Sequence, residues 1–187
     1  MKRIGLFIDG SNIFMSAKTL GFRVDYTKLL NYYKSMGEVA HAFYFTALPP
    51  KEVNSDLRKM VDYVRHNGYV VVEKETREYL DDKGLPKLKG NMDVEIAVYA
   101  GEVAASMSHM VLFSGDGDFR CLIESMQRKH NIHCTVVSAR SLASGSLRSQ
   151  ANEFVDLSTL RIALNHEYVE KTVPIDRTLI RRKFSFK

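Results

Sequence analysis

Four aspartates hold the chemistry this chain could perform: Asp9, Asp93, Asp116 and Asp118. Asp9 ends an apolar run and is followed by Gly10, Ser11 and Asn12. Asp116 and Asp118 follow a second apolar run, in the order Ser114, Gly115, Asp116, Gly117, Asp118. Asp93 opens an apolar helical stretch after a long connection. Taken singly, each has an ordinary structural role. Asp118 suits a helix N-cap, Asp116 a turn between two glycines, and Asp9 a turn with Ser11 capping the next helix. Taken together they repel one another. Two carboxylates about 5 Å apart cost on the order of 3 kcal/mol at an effective dielectric near 20. A hard divalent cation with oxygen ligands, Mg²⁺ or Mn²⁺, offsets that repulsion, and few His or Cys residues are placed for a softer site.

The elements that must bring these acids together are short and alternate in type. Residues 3–8, 39–46, 69–75, 110–114 and 133–138 are rich in Ile, Val, Phe and Tyr and read as strands, several of them buried on both faces. Helical stretches lie between them at 26–35, 52–67, 93–106 and 119–129, with a further helix within 147–154 and another after residue 158. Gly68 stands where a helix C-cap is needed. This alternation predicts an α/β fold with a mostly parallel central sheet of about five strands and right-handed crossovers. In such sheets ligands bind beyond the carboxyl ends of the strands, where the strand order reverses. If the first and fourth strands are neighbours, Asp9, Asp116 and Asp118 meet at that point. The connection at 76–92 carries turn chemistry and both signs of charge, and reads as a lid or substrate-contact loop.

Composition narrows the class. The chain has 187 residues, 45% of them hydrophobic and 26% charged, enough for one globular domain that needs neither disulfides nor a structural metal. No apolar run approaches the roughly 18–20 residues of a membrane span, and the run at 4–8 is too short for a signal-peptide core. The expected location is therefore cytoplasmic, with Cys121 and Cys134 reduced. The net charge is +5, and residues 161–187 hold seven basic and three acidic side chains, so most of the excess sits in that last stretch. An anionic partner, nucleic acid first, follows as an expectation. Within that stretch, residues 179–187 interleave basic and aromatic side chains. This suits single-stranded RNA, but Leu179, Phe184 and Phe186 need covering, which favours packing or a homodimer contact.

Three segments, FIDGSNIF, KGNMDVEIAVYA and VLFSGDGDF, occur in an order and spacing that resembles the NYN-domain, or LabA-like, group of PIN-like nucleases. VVSARSLASGSLRSQANEFVDL resembles that family's last strand and terminal helix. The resemblance covers about residues 2–160, making 1–160 the expected nuclease domain and 161–187 a basic C-terminal extension. It implies a PIN-like α/β/α sandwich and metal-dependent cleavage of RNA, leaving 5′ phosphate and 3′ hydroxyl ends. Carried over by motif, Asp9, Asp93, Asp116 and Asp118 are the catalytic and metal-binding acids. Asn12 and Ser114 are polar partners at or just behind the ion, and Lys89, with its neighbour Lys87, is a substrate phosphate contact.

Two positions depart from the family pattern. Tyr99 stands where many relatives carry a further acid, and Asn152 where many have Asp. Glu95 either substitutes for the missing acid or faces solvent. These departures favour the alternative reading, a catalytically weak RNA-binding or regulatory module of the same fold. A phosphatase of the haloacid-dehalogenase type would need Asp at position 11, where this chain has Ser11.

Overall fold

A computed structural model describes residues 1–48, 55–80 and 86–165. The first strand, β1 (Arg3–Asp9), shows how the sequence divides the interior. Ile4, Leu6 and Ile8 point to one face of the sheet and Phe7 to the other, as the period of two requires. The first face is covered by α1 (Gly10–Thr19), α2 (Tyr26–Lys34) and α3 (Ser55–His66), which bury Ile13, Leu29 and Val64 against it. The second face is covered by α4 (Asp93–Val103), α5 (Arg120–His130) and α6 (Gly145–Gln150), through Ile96, Ile123 and Leu147. The result is the expected three-layer α/β/α sandwich.

The central sheet has six strands. To β1 are added β2 (Glu38–Leu48), β3 (Val70–Glu75), β6 (His109–Phe113), β7 (His133–Ser138) and β8 (Glu153–Asp156). All pair in parallel, in the order β3-β2-β1-β6-β7-β8. The strand order therefore reverses between β1 and β6, where Ile8 lies opposite Phe113. Asp9 follows Ile8 directly, and Asp116 and Asp118 lie just beyond the end of β6.

The helix expected within 147–154 is present as the C-terminal part of α6, and a sixth strand, β8, which the sequence does not predict, begins at the end of that stretch. Phe154 and Val155 of β8 pair with Val136 and Val137. A short apolar run of this kind does not distinguish helix from strand by periodicity. The long connection before Asp93 also has structure. β4 (Arg77–Leu80) and β5 (Pro86–Lys89) form an antiparallel hairpin separate from the main sheet. Its far end is packed closely, since a Cβ on Gly90 would meet the Ala47 Cβ of β2.

Gly68 has a positive φ of 93°, as its place after α3 predicts. At the other end of the domain α7 (Arg161–Leu164) buries Leu164 against α2, and the Leu164 carbonyl accepts from Asp25 N at 2.8 Å. The basic and aromatic run at 179–187 lies outside the described residues. Among those described, no helix is long and apolar enough to cross a membrane.

Candidate metal centre

Asp9 is the N-cap of α1. Its Oδ1 accepts from the backbone N–H groups of Ser11 and Asn12 and from the Ser11 hydroxyl. Its Oδ2 accepts from Asn12 Nδ2 at 2.6 Å and from Ser114 Oγ at 3.3 Å. The side chain is only 4% exposed, so it is held on every side by donors. Asn12 and Ser114 do more than satisfy it. Asn12 Oδ1 accepts from Gly115 N, and Ser114 Oγ accepts from Asp116 N. The two side chains thereby stitch the end of β1 to the end of β6 across the switch point.

Beyond β6 the chain turns on Asp116, whose Oδ1 accepts from Asp118 N at 3.0 Å and caps the 3₁₀ turn at Gly117–Phe119. Phe119 is buried and anchors that turn to the second core. Asp93 arrives from the opposite side, at the first turn of α4, with Asn91 donating to its carboxylate. Met92 and Ile96 fix this end of α4 in the same core as Phe7 and Phe45.

Carboxylate oxygens of Asp93, Asp116 and Asp118 all lie within 4.8 Å of one another. Asp9 sits behind this triad, close enough for its charge to act on Asp93. Burial, followed by the charges of Asp116, Asp9 and Asp118, pushes the Asp93 carboxyl up from an ordinary 3.8 to about 6, against a smaller opposing pull from Lys74. A set of hard oxygen donors this close, from the first turn of α4 and the turn after β6, fits a divalent cation of the Mg²⁺ or Mn²⁺ kind.

Glu95 is not part of the triad. Both its oxygens accept from Lys74 Nζ of β3, at 2.9 Å each, and this pairing lowers its own pKa. Tyr99 stands edge-on to Phe43 and Phe45, with ring centroids 5.3 and 5.7 Å away, so the position of the missing acid is filled by packing. Asn152 lies at the other edge of the sheet, where its Oδ1 accepts from Cys134 N, near the start of β7, and from Gln127 of α5. An aspartate there would accept the same two bonds, so this departure bears on strand anchoring and not on the acids. Lys87 and Lys89 belong to β5, opposite Tyr79 and Arg77. The hairpin thus leads into Asp93, while the two lysine side chains lie outside what the structure describes. Both cysteines are free, Cys121 exposed and Cys134 buried.

Sequence reasoning missed one feature of this region. A cavity of about 440 Å³ opens beside Asp116, between Asn12, the turn at 115–117 and the segment at 141–144. The only sequence signal for it is the run of small residues, Ala143, Ser144 and Gly145, facing a glycine-rich turn.

Comparison with known proteins agrees with this arrangement. The family model of the NYN domain matches residues 3–160. The low amplitude and bright protein LabA of Synechococcus elongatus is 31% identical over 174 residues, which is 91% of this chain and 89% of LabA. A solved structure of a protein of unknown function from Vibrio parahaemolyticus is similar with a TM-score of 0.71 and 26% identity, covering 83% of this chain and 93% of that one. The matched span runs from the β1 aspartate through both glycine-flanked acids to the last strand, and by that match the chain belongs to the NYN-domain, LabA-like family.

Proposed function

We propose that this protein is a metal-dependent ribonuclease that hydrolyses phosphodiester bonds in single-stranded RNA. The observation that carries the reading is the approach of the Asp93, Asp116 and Asp118 carboxylates to within 4.8 Å at the switch point of a parallel sheet. Membership of a family whose domains are typically nucleases supports it.

Asp93, Asp116 and Asp118 would hold the cation, Mg²⁺ or Mn²⁺, with Asp9 supplying further negative charge behind them. When bound, such an ion lowers the pKa of a water and neutralises charge on the phosphate. A bound cation would offset the neighbouring carboxylate charge that, after burial, helps raise the Asp93 carboxyl to about 6, and would so favour its ionised form. Asp9 keeps the ends of β1 and β6 in register through Asn12 and Ser114, so the donor set does not reorganise during the reaction. Lys87 and Lys89 are assigned to backbone phosphates of the substrate. In the reaction a water oxygen adds to phosphorus as the bond to the 3′ oxygen breaks, leaving 5′ phosphate and 3′ hydroxyl ends.

The test is turnover of a labelled single-stranded RNA by the purified protein in Mg²⁺, in Mn²⁺ and in EDTA. Cleavage that needs the cation and fails in Asp116→Asn supports the reading. Stoichiometric binding without turnover in either metal would replace it with an RNA-binding or regulatory role.

A further inference from the structure

The cavity beside Asp116 is built into the fold. Ser144 N donates to the Gly115 carbonyl at 2.9 Å, while Leu142 N and Ala143 N both donate to Ala139 O. The segment 141–144 therefore rests directly on the turn that carries the acids. Only glycine allows this approach. A Cβ on Gly115 would lie 2.7 Å from the Leu142 carbonyl oxygen, and one on Gly117 would lie 2.9 Å from Ser144 Oγ. The lining is polar through Asn12, Asp116, Ser141 and Ser144 and apolar through Ala143 and Leu142, the last of them 42% exposed.

Two cations flank this segment in sequence. Arg140 precedes it, and Arg148 follows Ser144 by one helical turn. Both guanidinium groups sit over the ring of Phe154, 5.4 and 5.8 Å from its centroid. Arg140 is 66% exposed and makes a loose 3.5 Å pair with Asp156. Arg148 Nε is buried with no hydrogen-bond partner, and Arg148 has no carboxylate partner among the described residues. Phe154, opposite Val136 in the sheet, thus carries both guanidinium groups, and among the described residues Asp156 is the carboxylate partner of Arg140 while Arg148 has none, which leaves Arg148 able to take an anion.

We infer that the cavity seats one unstacked nucleotide of a single-stranded RNA, its base against Leu142, with an adjoining backbone phosphate on Arg140 and Arg148. The inference rests on the ribonuclease reading and adds the side on which the strand lies. The hollow is wide open to solvent, and its room of about 440 Å³ is enough for one base. A base in a duplex would first have to be flipped out, at a cost of a few kcal/mol.

The experiment uses the wild-type protein in Mn²⁺ with a short fluorescein-labelled RNA. That RNA is compared with a set carrying one abasic nucleoside at each position in turn, and with the same strand in a duplex. We expect cleavage of the single strand to exceed that of the duplex, and one abasic position at a fixed offset from the cut to raise KM about tenfold. Arg140→Ala with Arg148→Ala should raise KM by a similar factor with little change in kcat. Ser141→Trp, which fills the cavity, should abolish the abasic effect. Equal KM across all abasic substrates, in an enzyme that cleaves, overturns the nucleotide seat and leaves the nuclease reading intact. No metal-dependent cleavage of any substrate overturns the nuclease reading and the seat with it. The abasic series uses unmodified protein, so a poorly folded variant does not affect it.

Discussion

Asn12 Nδ2 donates to Asp9 Oδ2 at 2.6 Å, and the same side chain accepts from Gly115 at the end of the neighbouring strand. One amide thus satisfies a buried carboxylate and ties two strand ends together. Asn12→Ala removes both bonds and leaves Asp9 Oδ2 with the longer Ser114 contact alone. We expect a loss of about 1.5–3 kcal/mol, the usual worth of a hydrogen bond to a charged group. In a domain of this size that lowers Tm by roughly 3–12 °C in a thermal melt. An unchanged Tm would mean that the remaining donors suffice.

Asp9→Asn and Asp116→Asn should each reduce Mg²⁺- or Mn²⁺-dependent RNA cleavage by more than about 100-fold while the circular dichroism spectrum stays that of the wild type. Near wild-type turnover by Asp116→Asn would place the metal chemistry elsewhere, and near wild-type turnover by Asp9→Asn would leave Asp9 a helix cap alone.

Glu95→Gln tests whether a paired carboxylate substitutes for the acid that Tyr99 replaces. Its pairing with Lys74 predicts that it does not. We expect cleavage within about threefold of wild type, since a partly exposed ion pair contributes roughly 0–1 kcal/mol. Asp93→Asn, assayed alongside, should lose most activity. Equal losses in the two variants would bring Glu95 into the metal site.

For Lys87 and Lys89 the informative quantity is the salt dependence of RNA affinity. Each phosphate contact on a single strand contributes about 0.7 to the slope of log K against log salt, so the double Lys→Ala variant should flatten it by about 1.4. A slope equal to wild type would assign both lysines to solvent.

The raised pKa of Asp93 ties stability to pH. Its folded value of about 6 lies above its ordinary 3.8, so the folded state holds that proton more tightly than the unfolded chain. This contribution is fully present below the ordinary value and is lost as pH rises through about 6. Without metal, Tm should therefore fall between roughly pH 4 and pH 6 on account of this group. Divalent metal should restore it by mass action, and Asp116→Asn should raise Tm in EDTA while shrinking the gain from Mn²⁺. Melts across that range in EDTA and in Mn²⁺ measure both halves. If wild type gains nothing from metal and Asp116→Asn melts lower in EDTA, the acids are caps and turn residues.

The strands with uninterrupted apolar runs could be read directly from the sequence, because Phe7 and Ile8, or Leu112 and Phe113, have no polar alternative that would let them face water. The neighbourhood of β1 and β6 was legible only as a condition. Nothing in either run specifies its partner, and the match appears once Asn12 and Ser114 are seen to bridge them. The helix within 147–154 is there as α6, but β8 was missed, because Phe154 and Val155 suit a helix or a strand equally and pairing with β7 decides the matter. Asp9 combines a structural and a site role: it caps α1 itself, where Ser11 is the cap the sequence suggests, and it sits beside the acid triad. The cavity was hidden because it is made by backbone proximity at two glycines, which no single residue type announces.

The stitch between Ser114 and Asp9 joins residues 105 positions apart in the chain. Asp9 is made well before Ser114, and β1 cannot take β6 as its neighbour until the chain has been made past Phe113. Until then the acids are scattered along an open polymer. Under the ribonuclease reading, a nascent chain surrounded by the message that encodes it is harmless, and cutting power appears only with the closed sheet. The same dependence would disarm a truncated or partly unfolded copy. On that reading, the long sequence separation of the acids would keep cleavage away from RNA near an unfinished chain.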